Sequence, residues 1–305
     1  MNNNITFQEI LSQYIIDRLP ADDTVKHFYF VIKKYQEDMK ITYFSDTTKQ
    51  DLNNWKVDLV NRASRETSNN YLRHLKVLYS FAYDEEIIQD NPFNRFKMVR
   101  VFEQQYKSIT TEDINIAIQY LLSNKNTLEP GWFWVSVIKT LYYTGMRRKQ
   151  LIMLKWENID FDKKVITLRS LGSKNKRSWD IPLHPSICND LLHLRGRFLR
   201  TYKSAELTNL QVFNVTAFNS KYHGNELKRS QLSGFFRNLS SKVNIKCSTH
   251  RFRHRIATDL VNSHPNIKEV QYLLGHSDIK TTLTYVEKNM DNLRSSLDNV
   301  PPIGP

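Results

Sequence analysis

Residues 250–285 read HRFRHRIATDLVNSHPNIKEVQYLLGHSDIKTTLTY. The opening five, His250-Arg251-Phe252-Arg253-His254, set an imidazole and a guanidinium three positions apart, so on a helix they share a face. One offers a hydrogen bond or a proton relay, the other a permanent cation. Leu273-Leu274-Gly275-His276-Ser277 then places a second imidazole directly after a glycine. Thr281-Thr282-Leu283-Thr284-Tyr285 closes with a phenol nine positions beyond His276. Taken singly these residues have ordinary readings: a histidine capping something in a core, or a tyrosine packing as most of the 15 tyrosines here would. Their joint order carries the information.

Two segments upstream belong with them. Thr144-Gly145-Met146-Arg147 sets an arginine beside a glycine at a helix junction. There a planar fork can face phosphate oxygens, although a lone arginine is as readily a surface residue. Val165-Ile166-Thr167-Leu168 and Trp179-Asp180-Ile181-Pro182-Leu183 read as two strands of a hairpin, with the tip Ser173-Lys174-Asn175-Lys176-Arg177 between them. A lysine on such a tip can enter a DNA minor groove and protonate a leaving oxygen, or merely touch the backbone. Five segments over about 140 residues thus each hold a group suited to attack on a phosphodiester.

The composition is compatible with that chemistry. The chain has 305 residues, room for about two domains, and 44 Lys plus Arg against 31 acidic residues, a net charge of +13. Such an excess favours a polyanionic partner, because neutralised phosphates release counterions. Two cysteines, Cys188 and Cys247, make no disulfide framework and no zinc-type spacing. The segment Met1 to Ile5 lacks the features of a signal peptide, and apolar stretches such as Trp132–Ile138 are too short to span a bilayer. The expectation is a cytoplasmic protein with no membrane partner.

Residues 5 to about 97 read as helical. Four apolar stripes recur: Leu11, Tyr14, Ile15, Leu19; Phe28, Val31, Ile32, Tyr35; Leu52, Trp55, Leu59; and Leu72, Leu75, Leu78, Tyr79, Ala82. Ser45 to Thr48 and Thr67-Ser68 are candidate N-caps for the third and fourth. Asn91-Pro92-Phe93 ends the run, and Asn94 to Lys107, with Arg95, Lys97 and Arg100, reads as a basic linker. Thr110-Thr111-Glu112-Asp113 opens the next helix. Helices are expected over Trp134–Tyr143 and Lys149–Trp156 and again from His184 onward. Beyond Tyr285, the spacing of Val286, Met290, Leu293, Leu297 and Val300 predicts an amphipathic tail helix.

The order TGxR, a lysine eight residues before Pro-Leu, HxxRH, LLGH and a tyrosine nine residues later closely resembles the catalytic half of the tyrosine recombinase (phage integrase) family. The likeness is strong over Ile109–Val286. It is looser over residues 5–97, which resemble that family's helical core-binding domain. The resemblance implies a mainly α fold with a small antiparallel sheet: a helical, SAM-like, DNA-binding domain over 1–97, a linker over 98–107, and a mixed α/β catalytic domain over 108–305 with its tail helix. It implies a DNA-recombining enzyme acting as a homo-tetramer on double-stranded recombination sites, nucleoid-associated, with accessory DNA-bending proteins as further partners.

Position by position, the resemblance makes Tyr285 the nucleophile that leaves a 3′-phosphotyrosine and a free 5′-hydroxyl. Arg147 and Arg253 clamp the non-bridging oxygens, and Lys174 is the general acid. His250 assists proton transfer at the tyrosine, and His276 donates to the phosphate. A phenol ordinarily ionises near pH 10, so it needs cations and a proton acceptor nearby. The phosphotyrosine keeps the energy of the broken bond, so no cofactor is expected, and with the cations supplied by side chains no metal is expected either. Two positions depart from the pattern: Gln150 stands where many members carry an acid, and Phe252 where leucine is usual. No room precedes residue 5 for an arm-site-binding domain, which suggests a simple recombination site. A type IB topoisomerase and a non-catalytic DNA-binding protein are the competing readings.

Overall fold

The structure is a computed structural model that describes residues 4–101, 108–169, 178–200, 202, 207–264 and 266–286. Lys174 and the expected tail helix beyond Val286 lie outside the described residues. The chain forms two compact units, residues 1–105 and 106–305.

The first unit is built from α1 (Phe7–Arg18), α2 (Asp22–Met39), α3 (Lys49–Arg62) and α4 (Arg65–Asp84). The second, third and fourth stripes are buried as their spacing requires. The first is shifted: α1 buries Phe7, Ile10 and Leu11, whereas Leu19 caps the helix in the left-handed region at φ 46° and is 70% exposed. A helix that stops at Arg18 no longer carries residue 19 on its face. Thr48 caps α3 reciprocally with Asp51. For α4 the cap is Ser64, not Thr67-Ser68: its side chain accepts from the Thr67 N–H, so the helix begins one turn earlier. Buried polar atoms are paired, with the Tyr79 hydroxyl donating to the Phe44 carbonyl and the Trp55 indole to Asp38.

The stretch after α4 is pinned to this unit. Phe93 and Phe96 are buried, and Asn69 exchanges two hydrogen bonds with the main chain of Val99, at 2.8 and 2.9 Å. Lys49, Lys56 and Arg65 also donate to the carbonyls of Asn94, Lys97 and Arg100, and an irregular segment held by such scattered contacts has no periodic signature in the sequence.

The second unit opens with α5 (Thr111–Leu122), α6 (Gly131–Thr144) and α7 (Arg148–Met153). A three-stranded antiparallel sheet follows, in the order β1 (Ile159–Asp160), β2 (Val165–Arg169), β3 (Ser178–Pro182). The hairpin register pairs Ile166 with Ile181 and Leu168 with Trp179. β1 was not legible at two residues, and α7 stops at Met153, short of the expected Trp156. The unit continues with α8 (Pro185–Phe198), α9 (Arg229–Val243), α10 (Thr249–Ser263), α11 (Ile267–Leu274) and α12 (Ile279–Leu283). α6 runs through its core, burying Phe133, Trp134, Val137, Ile138 and Leu141, with Trp134 stacked on Phe235 at 3.7 Å. α10 packs against α6. Among the described residues no helix is long and apolar enough to cross a membrane.

Candidate active site

The site grows from helix ends that stop on glycines. α6 ends at Gly145, φ 60°, where a Cβ would stand 2.8 Å from Leu274 Cδ2. α11 ends at Gly275, φ 61°, where a Cβ would stand 2.2 Å from the Trp179 ring. Both left-handed turns free carbonyls that two arginines collect. Arg253, 4% exposed in α10, donates from Nη1 to the Gly145 carbonyl and from Nη2 to the Leu274 carbonyl at 2.7 Å. Arg147 is the N-cap of α7 and is exposed, and its Nη1 donates to the Gly275 carbonyl at 3.2 Å. One fork thus ties the two turns together and the other reaches the second of them.

His276 follows Gly275 and is 8% exposed. Its main chain is held on both sides by Gln271: His276 N–H donates to the Gln271 carbonyl, and the Gln271 side chain donates to the His276 carbonyl. Its Nδ1 lies 2.9 Å from the hydroxyl of the fully buried Thr282. Tyr285, also 8% exposed, lies just past α12. The His254 ring meets its ring edge-on at 4.8 Å, and the His276 ring lies parallel at 6.0 Å.

The charges are compressed. Burial first, then Arg147, pulls Arg253 down to about 10, with Tyr285 opposing. The Arg147 residue is exposed, but its guanidinium end is partly desolvated by the surrounding protein, which holds it below the usual guanidinium range, again opposed by Tyr285. The phenol therefore stands within electrostatic reach of both forks. Burial, then Arg253 and Arg147, lowers His276 to about 4. His250 is exposed at the start of α10, yet its ring is crowded enough by protein and by Arg253 to sit below the ordinary histidine value. Among the described residues neither Arg147 nor Arg253 forms a salt bridge, and their partners are neutral carbonyls. The cluster is short of an anion, and a phosphate among these groups would relieve the repulsion.

Of the six residues singled out, Arg147, Arg253, His276 and Tyr285 come together around the two glycine turns, with His250 beside Arg253; Lys174 lies outside the described residues. Sequence reasoning assigned no role to His254, Thr282 or Gln271. Their signal was present, since His254 and Thr282 sit inside the quoted motifs, but only the packing gives them partners.

Two predictions arise here. Gly275→Ala should cost about 2 kcal/mol or more, because a left-handed residue with a Cβ is strained and the Trp179 ring must move. Gly145→Ala meets a flexible leucine methyl instead and should cost less. Urea unfolding of both variants checks the ranking, and equal losses would contradict it. The second concerns pH. Folded His276 stays neutral down to about pH 4, whereas the unfolded chain takes up that proton near pH 6.5. Between those values the unfolded state binds more protons, so stability should fall as pH drops through this window, by on the order of 3 kcal/mol from this residue, and level off below it. Between pH 7 and 4.5, His276→Gln should lose at least about 1 kcal/mol less than the parent chain. Parallel pH slopes would refute the assignment.

A helical unit with a small sheet gathers two arginines and two histidines about one tyrosine. Residues 107–292 match the model of the phage integrase family, and the chain belongs to that family. It is 28% identical over 96% of its length to a protein of Pseudomonas syringae described as a XerC tyrosine recombinase, and 28% identical over 77% of its length to a XerC-described protein of Pseudomonas aeruginosa. It spans 64% and 57% of the length of those two relatives. It is 23% identical to the tyrosine recombinase XerD of Staphylococcus haemolyticus, covering 97% of this chain and 99% of that one. In fold it is similar to the Tn1549 transposon integrase in complex with a circular intermediate DNA, with TM-score 0.78, 19% identity, and coverage of 97% of this chain and 100% of that one. It is also similar in fold to a lambda integrase bound as a dimer to a COC′ core site, with TM-score 0.69, 16% identity, and coverage of 93% and 78%.

Proposed function

We propose that the chain is a tyrosine site-specific DNA recombinase. The observation that carries this is the gathering of Arg147, Arg253 and His276 about Tyr285, with two guanidinium charges that no described carboxylate neutralises. In this reading the Tyr285 oxygen attacks the scissile phosphorus and the bond to the 5′-oxygen breaks. The phenol proton passes toward His250, and Lys174 supplies a proton to the departing 5′-oxygen. Arg147 and Arg253 hold the non-bridging oxygens of the pentacoordinate transition state, where preorganised donors act most strongly. His276 donates one hydrogen bond to the phosphate, and burial together with Arg253 and Arg147 favours its neutral form in the free site. A 5′-hydroxyl from a second strand then reverses the step.

Residues 1–97 serve as a core-binding domain, 98–107 as a linker and 108–305 as the catalytic domain. The substrates are two double-stranded sites held by a tetramer of this chain in the bacterial type of nucleoid, with DNA-bending proteins as helpers, and the outcome is integration, excision or a related rearrangement. A substrate nicked near the cleavage position tests the chemistry: the short fragment leaves, and the protein should remain covalently attached to the 3′-phosphate. No adduct would refute the enzyme and favour a DNA-binding protein. Adducts and relaxation without exchange between two duplexes would favour topoisomerase activity.

A further inference from the structure

Gln150 is 4% exposed in the first turn of α7, and both ends of its amide are engaged. Oε1 accepts from the main-chain N–H of Arg147 at 2.8 Å, and Nε2 donates to the main-chain carbonyl of Arg169 at 3.1 Å. An N–H only donates and a carbonyl only accepts, so the partners themselves fix which way the amide points. The first bond holds the turn that presents Arg147. The second grips the last residue of β2, and Lys174 follows Arg169 by five positions in the chain. Beside this contact lies a cavity of about 180 Å³ lined by Gln150, Leu154, Thr167, Leu168 and Arg169 among others. The end of the strand is therefore tied to α7 by a hydrogen bond at the rim of a cavity, where side-chain packing leaves a gap.

A glutamate at this position, the residue type many family members carry, would keep the bond from Arg147 N–H. It could not donate to Arg169, and an ionised oxygen would face that carbonyl, which is costly for a buried group. We infer that Gln150 is a positioning residue that couples the turn of Arg147 to the strand end leading to Lys174, and that this chain requires the amide there in place of the acid. The inference rests on the roles proposed above for Arg147 and Lys174.

The experiment measures single-turnover covalent capture on two nicked substrates. One has the ordinary 5′-bridging oxygen, the other a 5′-bridging sulfur, which leaves without a proton. Gln150→Glu keeps the Arg147 bond and loses the strand bond. It should slow the oxygen substrate at least about tenfold, a part of what a general acid contributes, and the sulfur substrate less than about threefold. Gln150→Met, which carries no charge and makes neither bond, should slow both, the oxygen substrate more. Thermal melting and DNA binding establish that each variant is folded, and if the glutamate variant is not, the methionine variant decides. Wild-type rates, or equal slowing on both substrates, would overturn the inference. Lys174→Ala, run alongside, should recover on sulfur. If it does not, the general-acid reading fails and takes the inference with it. If it recovers while Gln150→Glu does not, the inference alone fails.

Discussion

Tyr285→Phe should reduce strand cleavage below detection while leaving affinity for DNA within about twofold, or about 0.4 kcal/mol. The ring is held by its faces and edges, between His254 at 4.8 Å and His276 at 6.0 Å, and by the apolar cluster of Ala257, Val270 and Leu274. Phenylalanine fills the same space and keeps those contacts. What it removes is the oxygen that would bond to phosphorus, and no other group in the cluster is a comparable nucleophile. Covalent capture on a nicked substrate and a gel shift, run on one preparation, separate the two quantities. A Phe variant that still forms the adduct would dismiss Tyr285 as nucleophile. A Phe variant that no longer binds would mean that the hydroxyl holds the fold or the DNA instead.

The two arginines should part company when each is changed to lysine. Arg147→Lys and Arg253→Lys should both lose at least about a hundredfold in cleavage, the scale seen when one preorganised donor to the transition state is removed. Lysine keeps the charge but not the fork. Stability should differ, because their surroundings do. Arg253 is buried and joins the Gly145 carbonyl to the Leu274 carbonyl. Lysine has three N–H donors but a single nitrogen, which cannot occupy the two positions that Nη1 and Nη2 hold. At least one bond is therefore lost or lengthened, and a buried carbonyl left without a donor costs about 1–3 kcal/mol. Arg147 is exposed and reaches one carbonyl, which water can satisfy in its place. Urea unfolding should therefore show a loss of about 2 kcal/mol for Arg253→Lys and little for Arg147→Lys. Near-normal cleavage in both would show that the forks do not hold the reacting phosphate, and equal destabilisation would contradict the structural distinction.

Much of this was legible in the order of residues. The stripes of α2, α3 and α4, the hairpin of β2 and β3, and the motifs that end in Tyr285 are local patterns: a period near 3.6, a period of two, and fixed spacings along the chain. Where the reading slipped, the deciding partner was distant or the signal was not periodic. Leu19 looked like a core residue until α1 ended one position before it. The segment after α4 has no period to read, and its bonds to Asn69, Lys49, Lys56 and Arg65 come from distant helices. β1 is too short to carry a pattern.

The sequence by itself determined which chemical groups are present and in what order: two forks, two imidazoles and a phenol, with glycines where the helices must stop. That much follows from covalent identity and helical geometry. The tertiary structure alone decided which carbonyls Arg253 ties together, that Thr282 meets His276, that His254 braces the Tyr285 ring, and that Gln150 donates to Arg169. These pairs lie up to 108 positions apart in the chain. Their energies depend on burial and on hydrogen bonds with narrow geometry, which exist only once the helices have packed.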